Sequence, residues 1–551
     1  MEPQRASKRQ RTGSPLTLPS PPQHAAAAAP SDPSRVWLPE FVQRFAASLP
    51  PNEVACILRL VNKAAAAQYR GPQHATIRLS QPVPHREFAW RWAGPDAMRR
   101  LVRSQREALP RLTAGSGSIA NLEVLLARED VANPLNHATL HAAAAAGQME
   151  VCVWLRERGC PVNVLVLAAA AGGGHRAVCD WLLANGCSEG DMVEAAAAAA
   201  ARAGHVGLME WLLGGSVPHG RASLFLLIRS VAAVCDLPTL QRLHHTYLDS
   251  RGEELVSWDP ECCVIGAAIA SPSADWQAKV EWLESRGYPR TTCGAWGWAA
   301  CTPDALSRLT WLQQRGYPIE SSAARRAAET GNVEALEGIL GQGVALDNFA
   351  ASAATSEAAR RGNVAVMQVL HAHGALSGQS AVEAAAGGGH LHAVAWLVET
   401  LGADVALTVA TFACAAAGRS RELLVWLRER NCPWDEDCFR SAAGNGSEEQ
   451  LEWLAEHGCP MPVDGLLYAW AAIDGQLGML RCLRRLGCPW SPDGRTFACA
   501  VGWARGFEEQ LGRALGWLLD EGCPVDWGEA EAIAVDEALK QWLRAQQQQR
   551  T

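Results

Sequence analysis

The stretch Gly147-Gln148-Met149-Glu150-Val151-Cys152-Val153-Trp154-Leu155-Arg156-Glu157-Arg158-Gly159-Cys160-Pro161 decides the fold, because the chain repeats it. The pattern returns as Gly174…Trp181-Leu182…Gly186-Cys187 and as Gly446…Trp453-Leu454…Gly458-Cys459-Pro460. Gly475…Cys482-Leu483…Gly487-Cys488-Pro489 is the same phrase with Cys in the Trp slot. With that slot as register mark, the series is Leu125, Trp154, Trp181, Trp211, Leu243, Trp282, Trp311, Ile339, Val369, Trp396, Trp426, Trp453, Cys482 and Trp517. Gaps are mostly 27 to 32 residues, with 39 before Trp282 and 35 before Trp517, where insertions are expected. A fixed period of this length means stacked units.

Each unit reads as two short helices. The first is Ala-rich, as in Thr139–Ala146 or Ala323–Thr330, and Ala has the highest helix propensity. A glycine turn leads to an amphipathic helix such as Met149–Arg158, with Val151, Trp154 and Leu155 on one face. The glycine five residues after Trp suits a left-handed C′ position, and the proline after Cys blocks continuation of the helix. The expected fold is therefore all-α: a helical repeat solenoid with a small N-terminal helical unit. Residues 214–275 fit the pattern poorly, so degenerate or interrupted units are expected there.

The 551 residues carry a net charge of −8, and no strongly basic balance points to nucleic acid, so no nucleic-acid partner is expected. No run of about 18 apolar residues predicts a membrane span, and the N-terminus lacks a secretory pattern. The 18 cysteines fall mostly once or twice per unit at equivalent places. Stacked helices lie roughly 8–10 Å apart, whereas a disulfide needs Cα atoms within about 7 Å. The cysteines therefore read as small buried fillers in a reducing, intracellular compartment, cytoplasmic or nuclear.

Residues 1–34 form a Pro/Ser/Ala-rich tail whose composition predicts disorder. Through Arg35 it holds five basic residues against two acidic ones. Lys8, Arg9 and Arg11, followed by Ser14-Pro15, read as a nuclear-import patch, a solvated basic tail or an organelle transit segment. Residues 35–112 read as a small helical unit plus a connector. Pro50-Pro51 separates two helical patterns, and Asn52 is expected to cap the second. The repeats occupy 113–527. Residues 528–551 read as a capping helix with a Gln-rich tail, since a repeat array needs a polar end.

The repeated phrase resembles the ankyrin repeat. The family's second helix runs roughly Gly-His-Leu-Glu-Val-Val-x-Leu-Leu-Leu. Gly389-His390-Leu391-His392-Ala393-Val394-Ala395-Trp396-Leu397-Val398 follows it closely, as do Gly331-Asn332-Val333-Glu334 and Gly362-Asn363-Val364-Ala365. The likeness covers about 118–527. It departs in the first helix, where Thr-Pro-Leu-His survives only as Ala138-Thr139-Leu140-His141, and in the Trp and Cys-Pro positions. The resemblance implies a scaffold that binds a protein partner along its concave face and loops.

A second stretch, Leu38-Pro39-Glu40-Phe41, then Leu49, then Leu58-Arg59-Leu60-Val61, is similar to an F-box. That resemblance implies a substrate-recognition subunit of a cullin-based ubiquitin ligase, bound to a Skp-type adaptor. A two-helix solenoid cap gives the same pattern.

No constellation carries catalysis, a metal or a cofactor: His-Glu-x-x-His, Gly-x₄-Gly-Lys-Ser/Thr and Gly-x-Ser-x-Gly are all absent. The glycine triplets Gly172–Gly174 and Gly387–Gly389 sit at unit turns, and His141, His175, His205 and His390 are expected to hydrogen-bond there. The candidate partner-binding residues are Trp434, Asp435, Glu436, Trp490, Asp493 and Trp527. These Trp residues lie outside the register and beside acids, giving an aromatic anchor with an acidic rim. The alternative is that each indole folds back onto the adjacent unit.

Overall fold

The computed structural model describes residues 39–550 apart from 132–133, 188–189, 215–220, 250–262, 291–293, 345, 377, 505 and 507–508. The basic tail with Lys8, Arg9 and Arg11, and Leu38, lie outside the described residues. The chain divides into two compact units at 76/77, where the sequence reading placed the end of the connector at 112.

The smaller unit comprises the helices Pro39–Ser48, Pro51–Cys56, Lys63–Gln68 and Pro72–Ala75, with a tight turn at Leu58–Leu60. Its core is Val42, Val54, Leu58 and Tyr69, with Leu49 packed against it. Asn52 does not cap its helix. Pro51 takes the first helical position, where its fixed φ is already helical, and Asn52 is buried inside the first turn. Asn62 caps the next helix, accepting from the Ala65 N–H at 2.8 Å.

The larger unit is a row of helix pairs, fifteen among the described residues, from Arg103–Gly115 with Ile119–Leu126 to Trp527–Ile533 with Glu537–Arg550. No strand occurs among the described residues, and no described helix is long and apolar enough to cross a membrane. The first helix of each pair packs against the first helix of the next. Alanine makes this close approach possible. The doublets Ala143-Ala144, Ala170-Ala171, Ala327-Ala328, Ala358-Ala359, Ala385-Ala386 and Ala415-Ala416 are buried at one place in six of the units.

Stitches across the turn reinforce the row. Gln148 donates to the Gly115 carbonyl (3.3 Å), Asn332 to Ala300 (3.3 Å) and Gln450 to Gly418 (2.9 Å). The imidazole Nε2 atoms of His175 and His390 reach Ala145 (3.2 Å) and Arg360 (2.9 Å). Each bond spans about one period, so it satisfies a first-helix carbonyl that the previous unit leaves open.

The cysteine thiols work similarly. Cys160, Cys432 and Cys459 point at carbonyls 24 residues back, on Asn136, Thr408 and Asp435, at 3.1 to 3.4 Å. The sixteen described cysteines are all unbridged. Burial pushes the Cys160 thiol up to about 11 and those of Cys432 and Cys459 to about 12, far from nucleophilic use at neutral pH.

The stretch that reads poorly still holds helix pairs, Arg221–Val234 with Leu237–Tyr247 and Val264–Ile269 with Trp276–Ser285. The glycine turn is missing from them: the chain reads Cys235-Asp236-Leu237-Pro238 and Ser271-Pro272-Ser273 instead. A cation from the following unit replaces the stitch. Lys279 Nζ donates to the carbonyls of Ala232 (2.9 Å) and Cys235 (2.8 Å) and to Ser271 Oγ (2.6 Å). Arg308 donates to the carbonyls of Ile269 and Ser271. Both cations stand three residues before the register Trp, where other units place Val151, Val178 or Leu336.

Candidate protein-binding surface

The first helices from Val409–Ala417 to Trp527–Ile533 position the candidate surface. Asp435 and Asp526 cap two of them, accepting from the N–H groups of Asp437 (2.9 Å) and Glu529 (2.9 Å). Asp493 accepts from Ser491 Oγ (2.6 Å) and the Arg495 N–H (3.1 Å), and these bonds hold its carboxyl below the usual range. Glu436 is exposed and pairs with Arg440 at 3.2 Å. The acids therefore serve local turns while leaving negative charge at the surface.

The three off-register Trp residues are half-buried between units. Trp434 meets Phe412 edge-on at 5.3 Å and lies 6.4 Å from Trp453. Trp490 packs on Tyr468 at 4.0 Å, and Trp527 on Phe497 at 6.1 Å. The guanidinium groups of Arg428 and Arg484 cover Trp434 and Trp490 at 4.1 and 4.9 Å. Each indole thus spans two units with an aromatic ring on one side, and the first two carry a cation on the other.

Sequence reasoning missed a different pair. Trp470 and Trp503 remain 38% and 43% exposed and stack on one another, centroids 6.4 Å apart and planes 24° apart. Ile533 continues the stripe: a Cβ built on Gly502 would lie 3.4 Å from its Cδ1. Beside Trp503 lies a cavity of about 460 Å³ lined by Ile473, Asp474, Ala504, Gly506, Gln510 and Leu511.

A signal for Trp470 exists in the sequence. It occupies the position just before the alanine doublet, where other units carry Ala384, Cys414, Ser441, Glu357 or Arg326. At that place Trp298, Ala384 and Cys414 pack partly against the core, whereas Trp470 remains 38% exposed.

In the smaller unit Phe41 is 43% exposed and Leu60 72%, and Val61 is exposed as well. Leu58 is buried and Leu49 half-buried. Pro39 opens the first helix. No group of three metal-ligating side chains occurs among the described residues.

No family model matches the chain, and no curated protein matches it. Solved structures do. The pentatricopeptide repeat protein PPR10 in complex with an 18-nt psaJ RNA element is 12% identical over 92% of this chain and 87% of its own, with a TM-score of 0.25. The same repeat protein from maize is 13% identical over 92% and 82%, again at 0.25. So low a TM-score superposes little of either chain, and the solenoid class rests on the helix pairs described above. The expectation of no nucleic-acid partner is corrected here: solved structures that match this chain hold a repeat protein with RNA, so that exclusion is withdrawn.

Proposed function

We propose that the chain is a non-catalytic ankyrin-type scaffold that binds a protein partner across its row of first helices. The exposed, stacked pair Trp470–Trp503 carries the reading. Two adjacent indoles with Ile533 supply the apolar centre of a contact, and Asp435, Glu436, Asp493 and Asp526 supply a separate acidic edge at the opposite, N-terminal ends of the same row of helices. The partner segment that suits this surface is basic with an apolar anchor. In this reading Trp434, Trp490 and Trp527 hold the units in register.

The test is affinity capture with the full chain and its Trp470→Ala, Trp503→Ala and Trp490→Ala variants. A partner should be held by wild type and released by the first two substitutions, each weakening binding about 30-fold for a hot-spot loss of ~2 kcal/mol. The same proteins captured by all variants would sink the reading. Capture abolished by ribonuclease would make RNA the partner, as it is in the pentatricopeptide repeat complex.

A second reading is favoured by the exposed Phe41, Leu60 and Val61: an F-box-type subunit of a cullin-based ubiquitin ligase. Purified Skp-type adaptor should then bind the full chain and lose affinity on Leu60→Ala, a change at a site too exposed to disturb folding. No binding by the wild-type chain removes this reading and leaves the scaffold.

A further inference from the structure

Within the array, residues near its start meet units about 350 residues later. Arg99, Arg100, Arg103 and Arg106 form one basic edge. Opposite stand Glu448, Glu449 and Glu452 of the helix Glu448–Glu456, and Asp474 of the next unit. Arg103 grips Asp474 with two nitrogens, at 2.5 and 2.9 Å. Arg99 pairs with Glu452, and Arg100 with Glu449 at 3.3 Å. Arg106 and Glu448 are both buried and lie 3.9 Å apart, with Arg106 also donating to the Gly446 carbonyl at 3.4 Å. The Glu449 N–H donates to the Arg99 carbonyl at 3.2 Å, and Arg481 reaches Glu129 at 2.6 Å.

Stacked units in an array touch only their neighbours. A seam between units so far apart forms only if the small rotations between all intervening units sum to the right value. We infer that this seam is a charge-held clasp that fixes the curvature of the array and releases when ionic strength rises. Its chemistry supports release. Most of its pairs are partly exposed, and the screening length falls from about 8 Å at 0.15 M salt to about 3 Å at 1 M. The clasp also touches the candidate surface, because Asp474 lines the cavity beside Trp503. A cationic group entering that cavity competes with Arg103 for the same carboxylate.

The experiment is small-angle scattering of the full chain at 0.1 and 1 M NaCl, with molar mass and circular dichroism measured on the same samples. The radius of gyration should rise with salt in wild type. An Arg99→Glu, Arg103→Glu variant should be expanded already at low salt and respond little to more. The charge exchange Arg103→Asp with Asp474→Arg should return the compact value, a rescue that mere misfolding does not give. A radius independent of salt and of both changes, at unaltered helicity, overturns the clasp. A wild-type mass of two chains that falls to one in salt overturns it as well, by placing the seam between copies.

Discussion

Lys279 is the most demanding residue in the chain. Its ammonium group has no solvent exposure, and its three donors meet three oxygens. Burial lowers its pKa from 10.5 to about 8. Between those values the folded state holds fewer protons than the unfolded one, so this group's contribution to stability grows as pH rises through that window. The buried thiols act oppositely. Cys152, Cys482 and Cys523 are pushed up to about 12, so the unfolded chain ionises first and stability falls above about pH 9. Comparing wild type with Lys279→Met removes the thiol contribution. At pH 7.5 the variant should be less stable by about 2–4 kcal/mol, because two buried carbonyls lose their donor. Its deficit should widen between pH 8 and 10, as wild type alone gains from deprotonation. Urea unfolding at pH 7.5 and 9.5 measures both, and parallel pH dependence in the two proteins would show that burial does not depress the Lys279 pKa.

At the scale of the element, the turns carry the specificity. Gly159 has φ +82° with open space around it, so Gly159→Ala costs only backbone strain, about 1–2 kcal/mol. Gly159→Asn should cost less, since Asn431 holds the equivalent place at φ 57° in another unit. Gly147→Ala should cost more than either. A Cβ there would lie 2.4 Å from His175 Nδ1, so the imidazole that stitches to Ala145 must move. Thermal melts of the three variants should rank them Asn, then Ala at 159, then Ala at 147. These turns are also what made the fold legible. Gly, Trp-Leu and Gly-Cys-Pro each mark a fixed point of a helix pair, because backbone geometry leaves few residues free to stand there. Where Pro238 and Pro272 replace the glycine turn the pattern is lost, although the helices are not. Lys279 and Arg308 repair those turns from the next unit, a contact that spacing within one unit does not reveal. The candidate surface was half legible. An isolated Trp after Cys-Pro looks like an anchor, but Phe412 and Tyr468 wait one unit back to receive the ring. Trp470 sits among alanines and looks like core, yet it meets the exposed ring of Trp503 and stays 38% exposed.

The whole array poses a problem of ends. In an open row of units the terminal pair has one neighbour, so it frays first, and stability is a sum of unit and nearest-neighbour terms. The seam gives the first pair, Arg103–Gly115 with Ile119–Leu126, a second neighbour in the units that carry Glu448 and Asp474. Amide exchange across residues 103–126 should therefore be nearly as slow as across 321–372, in the middle of the row. Removing one exposed grip, as in Arg103→Ala, should speed exchange at 103–126 about 5-fold, for a loss of ~1 kcal/mol in a partly exposed bidentate pair. Arg106→Ala should do far more, because it leaves Glu448 buried without its cation, a change that costs about 3–5 kcal/mol. Neither substitution should alter exchange at 321–372, since each unit there keeps both neighbours. Salt at 1 M should reproduce the Arg103→Ala pattern in the wild-type chain. Exchange at 103–126 that is fast in wild type and indifferent to Arg103, Arg106 and salt would mean that the start of the row is an ordinary free end. The contacts with Glu448, Glu452 and Asp474 would then contribute nothing to holding it.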